Sequence, residues 1–339
     1  MERGEVEIIS TSGTTEDRLQ LLWEWTWWDP QERAAMRLNG TIGKAMLAAR
    51  FSEAVLTTPV CGGALCHIGD VSREDRTVDG MLFLNQTQDP SHWSDAELGR
   101  MIEEWNELAP EGVEADPAYL AALCRHAAKL GRTLHSPTYV TLTYELPTRA
   151  HRRAIAASIT SPLYALYGAT EAGVLFMECE AGRLHHNAEH SHVELGVVDE
   201  RDPSLRRVIV TTLGRPWMPL VRYELNDIVR VANGTCACGQ PVEGYLLERI
   251  EGRRGDCVSG TSGLVTPAML DDAVDAAGQT VRAWRLERDA GGWTLGAVGE
   301  GALAAAALSA LLGQKVAARS ETAIRPEGSG KYRLVDPGS

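Results

Sequence analysis

The chain has 339 residues, with 33 Lys and Arg against 46 Asp and Glu for a formal net charge of −13, and is 44% hydrophobic and 23% charged. That length allows about two domains, and the composition suits a globular protein able to bury a sizeable core. The acidic balance counts against a nucleic-acid binder, and the longest apolar run, Ala302–Leu312, falls short of the roughly 20 residues that cross a bilayer. The opening Met1, Glu2 and Arg3 lead into no apolar stretch of the kind a secretory signal needs. A cytoplasmic protein with neither nucleic acid nor membrane as partner is therefore expected. Its seven cysteines then read as buried thiols or metal ligands rather than disulfides. Lysine is scarce, only Lys44, Lys129, Lys315 and Lys331, so a lysine in a suggestive place carries more information than usual.

Residues 5–9 read as a short strand running into a Ser/Thr/Gly turn, and residues 17–28 as a helix stopped before Pro30. Four tryptophans, Trp23, Trp25, Trp27 and Trp28, are too dense for one solvent-facing surface. They read as core packing, with the wall of a ligand pocket as the other use. Further helices are expected from Asp29 with Pro30 and from Asn39 with Gly40. Asp116 before Pro117 is a strong start, with Asp as N-cap and Pro at the first helical position, and that helix runs through Tyr119, Leu123 and Ala127 to Gly131. Residues 138–142 form a β-branched strand, 148–159 a helix, and 164–167 a short apolar strand ending at Gly168. Strands are then expected over 193–198, 207–212, 220–223 and 228–231. Beyond Gly252 the texture changes: helices at 267–277 and Ala302–Leu312 surround a hairpin over 281–298, with its turn at Asp289 to Gly292. The fold class is therefore α/β: a layered large domain with distorted β-sheets and flanking helices, plus a small mobile C-terminal α+β domain. The boundary falls near residues 252–256, giving domains of 1–252 and 253–339.

Several constellations can carry chemistry. Ser10, Thr11, Ser12, Gly13, Thr14 and Thr15 follow the first strand. Consecutive small residues let backbone N–H groups curl inward as a nest, which suits a polyphosphate, although an ordinary hydroxyl-rich turn has the same composition. The chain has no Walker loop. Tyr167, Gly168, Ala169, Thr170 and Glu171 close an apolar strand; the ring can stack on a base, Gly permits close backbone approach, and Thr with Glu can hold a phosphate and its Mg²⁺. Residues 220–227 read as a strand ending in the Asp227 carboxylate, able to accept from two ribose hydroxyls. Gly252 and Arg253 stand at the domain junction, and Ser329, Gly330 and Lys331 close to the C-terminus.

In this order the motifs resemble the adenylate-forming superfamily of acyl- and aryl-CoA ligases and adenylation domains. Residues 178–194, residues 219–227 and the turn Cys236, Ala237, Cys238, Gly239 are similar to its phenylacetate-CoA ligase branch. The resemblance covers nearly the whole chain and implies a two-step ligase, in which a carboxylate and ATP give an acyl-adenylate and pyrophosphate before transfer to an acceptor. By position, it implies that Thr11, Ser12, Gly13, Thr14 and Thr15 form the phosphate loop and that Tyr167, beside Gly168, is the partner of adenine. Thr170 would contact the α-phosphate, Glu171 ligate Mg²⁺, Asp227 hold the ribose with Arg253 nearby, and Lys331 serve as the catalytic lysine of the small domain. Three departures stand out. Glu16, Asp17 and Arg18 replace the lysine usual at the end of the phosphate loop, Asn226 replaces the usual Gly before the ribose Asp, and only nine residues precede the loop. A large domain trimmed at its N-terminus is therefore expected, and the chain resembles a truncated branch linked to phenazine antibiotic biosynthesis that adenylates griseoluteic acid. That branch implies an aromatic or heteroaromatic carboxylic acid as substrate and a carrier-protein thiol or an amine as acceptor. A homodimer is compatible with the reading.

Cys179, His185, Cys236 and Cys238 offer three sulfurs and one nitrogen, a closed structural zinc set. The resembling ligases can hold zinc at these places, while the plain alternative is that Cys236 and Cys238 decorate a Gly turn. Cys61, Cys66 and His67 form a rival cluster with no evident fourth ligand. His186, Asn187, Ala188, Glu189 and His190 fit a metallopeptidase pattern that requires a helix. Their place before the β-branched run from Val193 puts them on a loop or strand instead. His92, His126, His135 and His151 read as surface or core residues. The combined reading is an ATP- and Mg²⁺-dependent acid-activating enzyme with a structural Zn²⁺. The alternatives are a non-catalytic nucleotide- or aromatic-binding accessory protein and, behind it, a zinc hydrolase.

Overall fold

The computed structural model describes residues 6–10, 20–47, 51–57, 67–87 and 89–338. The phosphate-loop residues Thr11, Ser12, Gly13, Thr14 and Thr15, and Cys61 and Cys66 of the rival cluster, lie outside the described residues. An antiparallel pair, β1 (Glu7–Ser10) with β2 (Gln20–Trp23), leads into α1 (Trp25–Met36) and α2 (Gly40–Ala45). Then come β3 (Glu53–Leu56), β4 (Thr77–Val78), β5 (Met81–Phe83), α3 (Asp95–Leu108), β6 (Gly112–Ala115), α4 (Pro117–Lys129), β7 (Tyr139–Leu142), α5 (Arg149–Ala156) and β8 (Leu163–Ala169). A run of strands follows: β9 (Gly173–Glu178), β10 (Leu184–His186), β11 (Ser191–Val197), β12 (Leu205–Thr212), β13 (Tyr223–Val231) and β14 (Leu246–Arg253). The remainder holds β15 (Val258–Gly260), β16 (Gly263–Val265), α6 (Pro267–Ala276), β17 (Ala283–Asp289), β18 (Gly292–Val298), α7 (Ala302–Leu312), β19 (Val316–Ser320) and β20 (Val335–Asp336).

Among the described residues, twelve strands make one sheet in the order β11-β12-β13-β14-β10-β9-β8-β7-β6-β3-β5-β4. Its middle, β5-β3-β6-β7-β8, is parallel. Every residue of β3 and β7 is buried, as expected where both faces of a parallel sheet are covered. One face packs on α3 and α4 through Trp105, Tyr119, Leu56 and Val113; α1 and α2 meet Tyr139 and Tyr164 through Ala35 and Ile42. Because these strands point the same way, their C-terminal ends deliver Thr57, Asp116, Thr143 and Gly168 to one edge, where open α/β sheets bind ligands. The C-terminal region has its own four-stranded sheet, β19-β18-β17-β20, and its own core built on Leu270, Trp284, Leu295 and Leu308. This is the smaller sheet domain expected from the sequence. No helix among the described residues is long and apolar enough to cross a membrane.

Where side chains cap helices the sequence reading holds. Asn39 accepts from Thr41 and Ile42, Asp116 from Ala118 and Tyr119, and Thr148 from His151. Three expectations need correction. Residues 20–23 are strand rather than helix, because they pair with β1, and the helix begins only at Trp25. It then runs through Pro30, so the two helices expected on either side of that residue are one. Pro30 is exposed in its second turn, so the carbonyl it leaves unpaired faces solvent. Residues 220–222 are a loop, tied by Leu220 N–H to Thr212 Oγ1 and Arg222 N–H to Thr211 Oγ1, both 3.0 Å. Asp227 consequently lies within β13 rather than at the end of a strand.

Candidate active site

Tyr167, Asp227 and Arg253 come together where β8, β13 and β14 approach. Asp227 is opposite Arg253 in the β13–β14 ladder. It accepts from Tyr167 Oη at 2.9 Å and pairs with Arg253 Nε at 3.2 Å. Arg253 also donates to the Leu225 carbonyl at 3.1 Å. Burial raises the pKa of Asp227, against the pull of Arg253 and Tyr167. The Tyr167 ring is buried and stacked on Phe176 at 6.0 Å. Asp227 therefore presents an oriented carboxylate whose oxygens retain further lone pairs for a ligand.

Thr170 and Glu171 lie in the turn between β8 and β9, closed by Ala172 N–H on the Ala169 carbonyl at 2.9 Å. Gly168 is required here, since a Cβ would meet the Gly173 carbonyl oxygen at 2.4 Å. Arg215, missed by sequence reasoning, fixes this turn by donating to the Glu171 carbonyl, and its other end reaches the Leu22 carbonyl at 2.9 Å. Its guanidinium also stacks on Trp27 at 4.6 Å and faces the buried Glu24. Of the tryptophan cluster, Trp27 is buried, while Trp23, Trp25 and Trp28 are half-buried, with Trp23 tilted against Trp28 at 4.0 Å and Trp25 lining a surface cavity beside Pro30.

Lys331 is delivered from the C-terminal domain into the same place. Its loop is seated by Tyr119 Oη on the Gly330 carbonyl at 3.0 Å and by Tyr332 N–H on Glu145 Oε2 at 2.6 Å. Burial and the Arg253 charge push the Lys331 ammonium pKa down, while Glu145, Asp116 and Glu171 hold it up. Lys331, Glu171, Asp227, Arg253 and Tyr167 are thus one constellation. Asp116 and Glu145 join it; the first was read only as a helix cap, and no local signal marks the second.

The metal-like set also assembles. The ligand atoms of Cys179, His185, Cys236 and Cys238 all lie within 4.8 Å of one another. Cys179 Sγ is 3.4 Å from Cys236 Sγ, and Cys238 Sγ is 3.3 Å from His185 Nε2. Tetrahedral zinc, with bonds of about 2.0–2.3 Å, needs donor separations of this order, so these residues fit the ion. Burial lowers the His185 pKa, favouring the neutral imidazole a metal needs. His186 ends β10 and His190 sits in a turn, so the metallopeptidase pattern is not on a helix. His67 of the rival cluster is buried and stacked on Phe83 at 5.1 Å.

No family model and no curated protein matches the chain. Solved structures match in fold. On 2-hydroxyisobutyryl-CoA ligase in the postadenylation state, in complex with 2-HIB-AMP, the TM-score is 0.71 at 15% identity, covering 98% of this chain and 74% of that one. The same ligase in its thioesterification state, with 2-HIB-AMP and CoA, gives 0.55 at 16% identity over 93% and 71%. An anthranilate CoA ligase in complex with anthranoyl-AMP gives 0.56 at 12% over 96% and 65%. The amide bond synthetase from Marinactinospora thermotolerans gives 0.58 at 14% over 96% and 67%. At these identities the likeness is one of fold, a large mixed sheet with flanking helices and a smaller C-terminal sheet domain.

Proposed function

We propose that the chain is an adenylate-forming ligase that joins a carboxylic acid to AMP, releases pyrophosphate and passes the acyl group to a thiol or an amine. The acid is aromatic or heteroaromatic, of the phenazine-like kind that the branch resemblance implies. The observation that carries the reading is the delivery of Lys331 from the smaller domain, residues 253–339, into the acidic and aromatic constellation of the larger one. A binding module has no use for a lysine so placed. Folds of this class include proteins described with acyl-AMP bound, among them an anthranilate CoA ligase.

In the reaction a carboxylate oxygen attacks the α-phosphorus of ATP and pyrophosphate leaves. The protein supplies position and charge rather than covalent help. Asp227 accepts from the ribose hydroxyls and is kept oriented by Arg253 and Tyr167. Thr170, in the turn above, donates to the α-phosphate, and Thr11, Ser12, Gly13, Thr14 and Thr15 offer N–H and hydroxyl donors to the leaving phosphates. Lys331 bridges the carboxylate and the α-phosphate as charge builds. Glu171 is the residue to hold Mg²⁺, a single carboxylate beside the nucleotide's own oxygens being an ordinary protein share of such a site. The bound ion would add positive charge at the phosphates. Zinc at Cys179, His185, Cys236 and Cys238 would be structural, joining β9 and β10 to the loop between β13 and β14.

Pyrophosphate exchange across a panel of aromatic acids tests the function. Lys331→Ala is expected to slow exchange about a hundredfold or more, the usual loss for one preorganised donor, with ATP affinity within a few-fold of the parent. Exchange by that variant within a few-fold of the parent rate would transfer the assignment to a non-catalytic nucleotide-binding protein.

A further inference from the structure

Asp116 and Glu145 form a pair beneath Lys331 that the reaction as described does not use. Asp116 is fully buried, and its Oδ1 accepts from Ala118 N–H at 2.9 Å and Tyr119 N–H at 3.3 Å, the N-cap of α4. Glu145 Oε2 accepts the Tyr332 N–H from the C-terminal domain. The oxygens left over, Asp116 Oδ2 and Glu145 Oε1, are both buried with no donor. The two carboxyls lie within reach of a hydrogen bond to each other. Two carboxyl oxygens can make that bond only with a proton between them.

We propose that Asp116 and Glu145 are positioning residues that share one proton and latch the Lys331 loop to the large domain, presenting a single negative charge to the Lys331 ammonium. The inference rests on the reading of Lys331 as the lysine that meets the reacting groups. Around the pair stand Lys331 and Tyr332 from the C-terminal domain, Tyr119 and Arg125 on α4, Asp89 ahead of α3, and Arg253 and Glu171 beyond the lysine. Burial pushes Asp116 up to about 7, and burial with the Asp116 charge pushes Glu145 above the usual carboxylate range. Undocking admits water and returns both toward ordinary values. The docked state therefore binds one proton more than the undocked state, and docking weakens as pH rises through the interval between them.

Amide hydrogen exchange of residues 329–332, read by mass spectrometry without substrate and corrected for the intrinsic rate, measures docking directly. In the parent, protection of the Tyr332 amide should fall by up to tenfold per pH unit from about pH 5 to about pH 7. Glu145→Ala removes the acceptor and should speed exchange there about tenfold to a hundredfold, the loss of one hydrogen bond to a charged group. It should also lower kcat for pyrophosphate exchange with little change in the KM for ATP. Glu145→Gln keeps the acceptor and lets its amide donate to Asp116, reproducing the one-charge pair without a titrating proton. Its protection should be near that of the parent and independent of pH. Asp116→Asn keeps the α4 cap and should behave likewise, so the pair stays testable if the Ala variant fails to fold. The latch is overturned if Glu145→Ala leaves protection unchanged. It is overturned equally if either amide variant is as unprotected as Glu145→Ala, or if the parent shows no pH dependence. Undiminished pyrophosphate exchange in Lys331→Ala overturns the functional reading instead, while the amide data still decide the latch.

Discussion

Asn226 has φ of 59°, the left-handed region, in the middle of a strand. The β12–β13 register passes from Arg207 opposite Ile228 to Ile209 opposite Glu224, so residues 225–227 bulge against a single partner residue. A bulge of this kind re-aims the next side chain, here Asp227, toward Tyr167 and Arg253. Glycine fits such a position at no steric cost and asparagine is the best tolerated substitute, which is why Asn can serve at 226. Asn226→Gly should hold or raise stability, while Asn226→Val should cost about 1–2 kcal/mol and weaken ATP binding as Asp227 loses its aim. Urea midpoints and nucleotide titration check both, and a Val variant as stable as the parent would refute the strain. A second residue governs acid sensitivity. His151 is buried, and burial with the neighbouring Arg125 lowers its pKa to about 3. Below about pH 6.5 the unfolded chain takes up a proton that the folded chain refuses. Stability from this source is therefore complete above that pH and falls by about 1.4 kcal/mol per unit toward pH 3. His151→Leu should flatten the stability profile between about pH 6 and about pH 4; an unchanged slope would mean the imidazole is charged in the fold.

At the scale of elements, Arg215 and Glu24 pin the N-terminal hairpin and α1 to the β8–β9 turn that carries Glu171. Both side chains are fully buried, 3.8 Å apart, and Arg215 also bonds two carbonyls. Arg215→Ala would leave the Glu24 carboxylate buried without its charge partner, so a loss of about 3–5 kcal/mol is expected, with Arg215→Met somewhat less damaging because it keeps the packing against Trp27. Thermal or urea unfolding reads the difference, and equal losses would show that the lost charge and hydrogen bonds, not packing, are at stake. None of this was visible in the sequence. Asn39, Asp116 and Thr148 advertise their helices because a cap acts locally, whereas β2 becomes a strand only through pairing with β1, and Pro30 is tolerated only because its face meets solvent. The zinc-type set was readable because cysteine is a rare ligand type, although β9 and β10 must fold beside the β13–β14 loop to join Cys179 and Cys236 across 57 positions. Purified protein should carry about one zinc per chain, the stoichiometry of a closed four-ligand site. Cys238→Ser should lose most of it and melt earlier. Metal content well below that, unaffected by the substitution, would leave the cysteines as plain thiols.

Across the whole molecule, the join between the two parts is made of charge. Arg149 pairs with Asp272 at 2.9 Å, and Arg153 meets Asp275. Arg249 on β14 also contacts Asp272. Each part has a core of its own, and the chief apolar contribution across the join is Tyr332 resting on the larger core. The boundary expected near residues 252–256 rests on the glycines and the change of texture in the sequence. The sequence was silent on the join, because its pairs answer to no local pattern, Arg149 and Asp272 lying 123 positions apart. Partly exposed ion pairs contribute up to about 1 kcal/mol each and are screened by salt, whereas the cores are not. Docking should therefore be the salt-sensitive property of this protein and global unfolding the insensitive one. Raising ionic strength from about 0.05 M to about 0.5 M shortens the Debye length roughly threefold, and should speed amide exchange in residues 329–332 while leaving α3 and α4 protected. Asp272→Arg places a third positive charge against Arg149 and Arg249 and should produce the same undocking at low salt, with a larger radius of gyration in solution scattering. If neither salt nor this reversal changes exchange in that loop, the loop is held by Tyr332 and by its bonds to Tyr119 and Glu145, and the charged face does not govern closure.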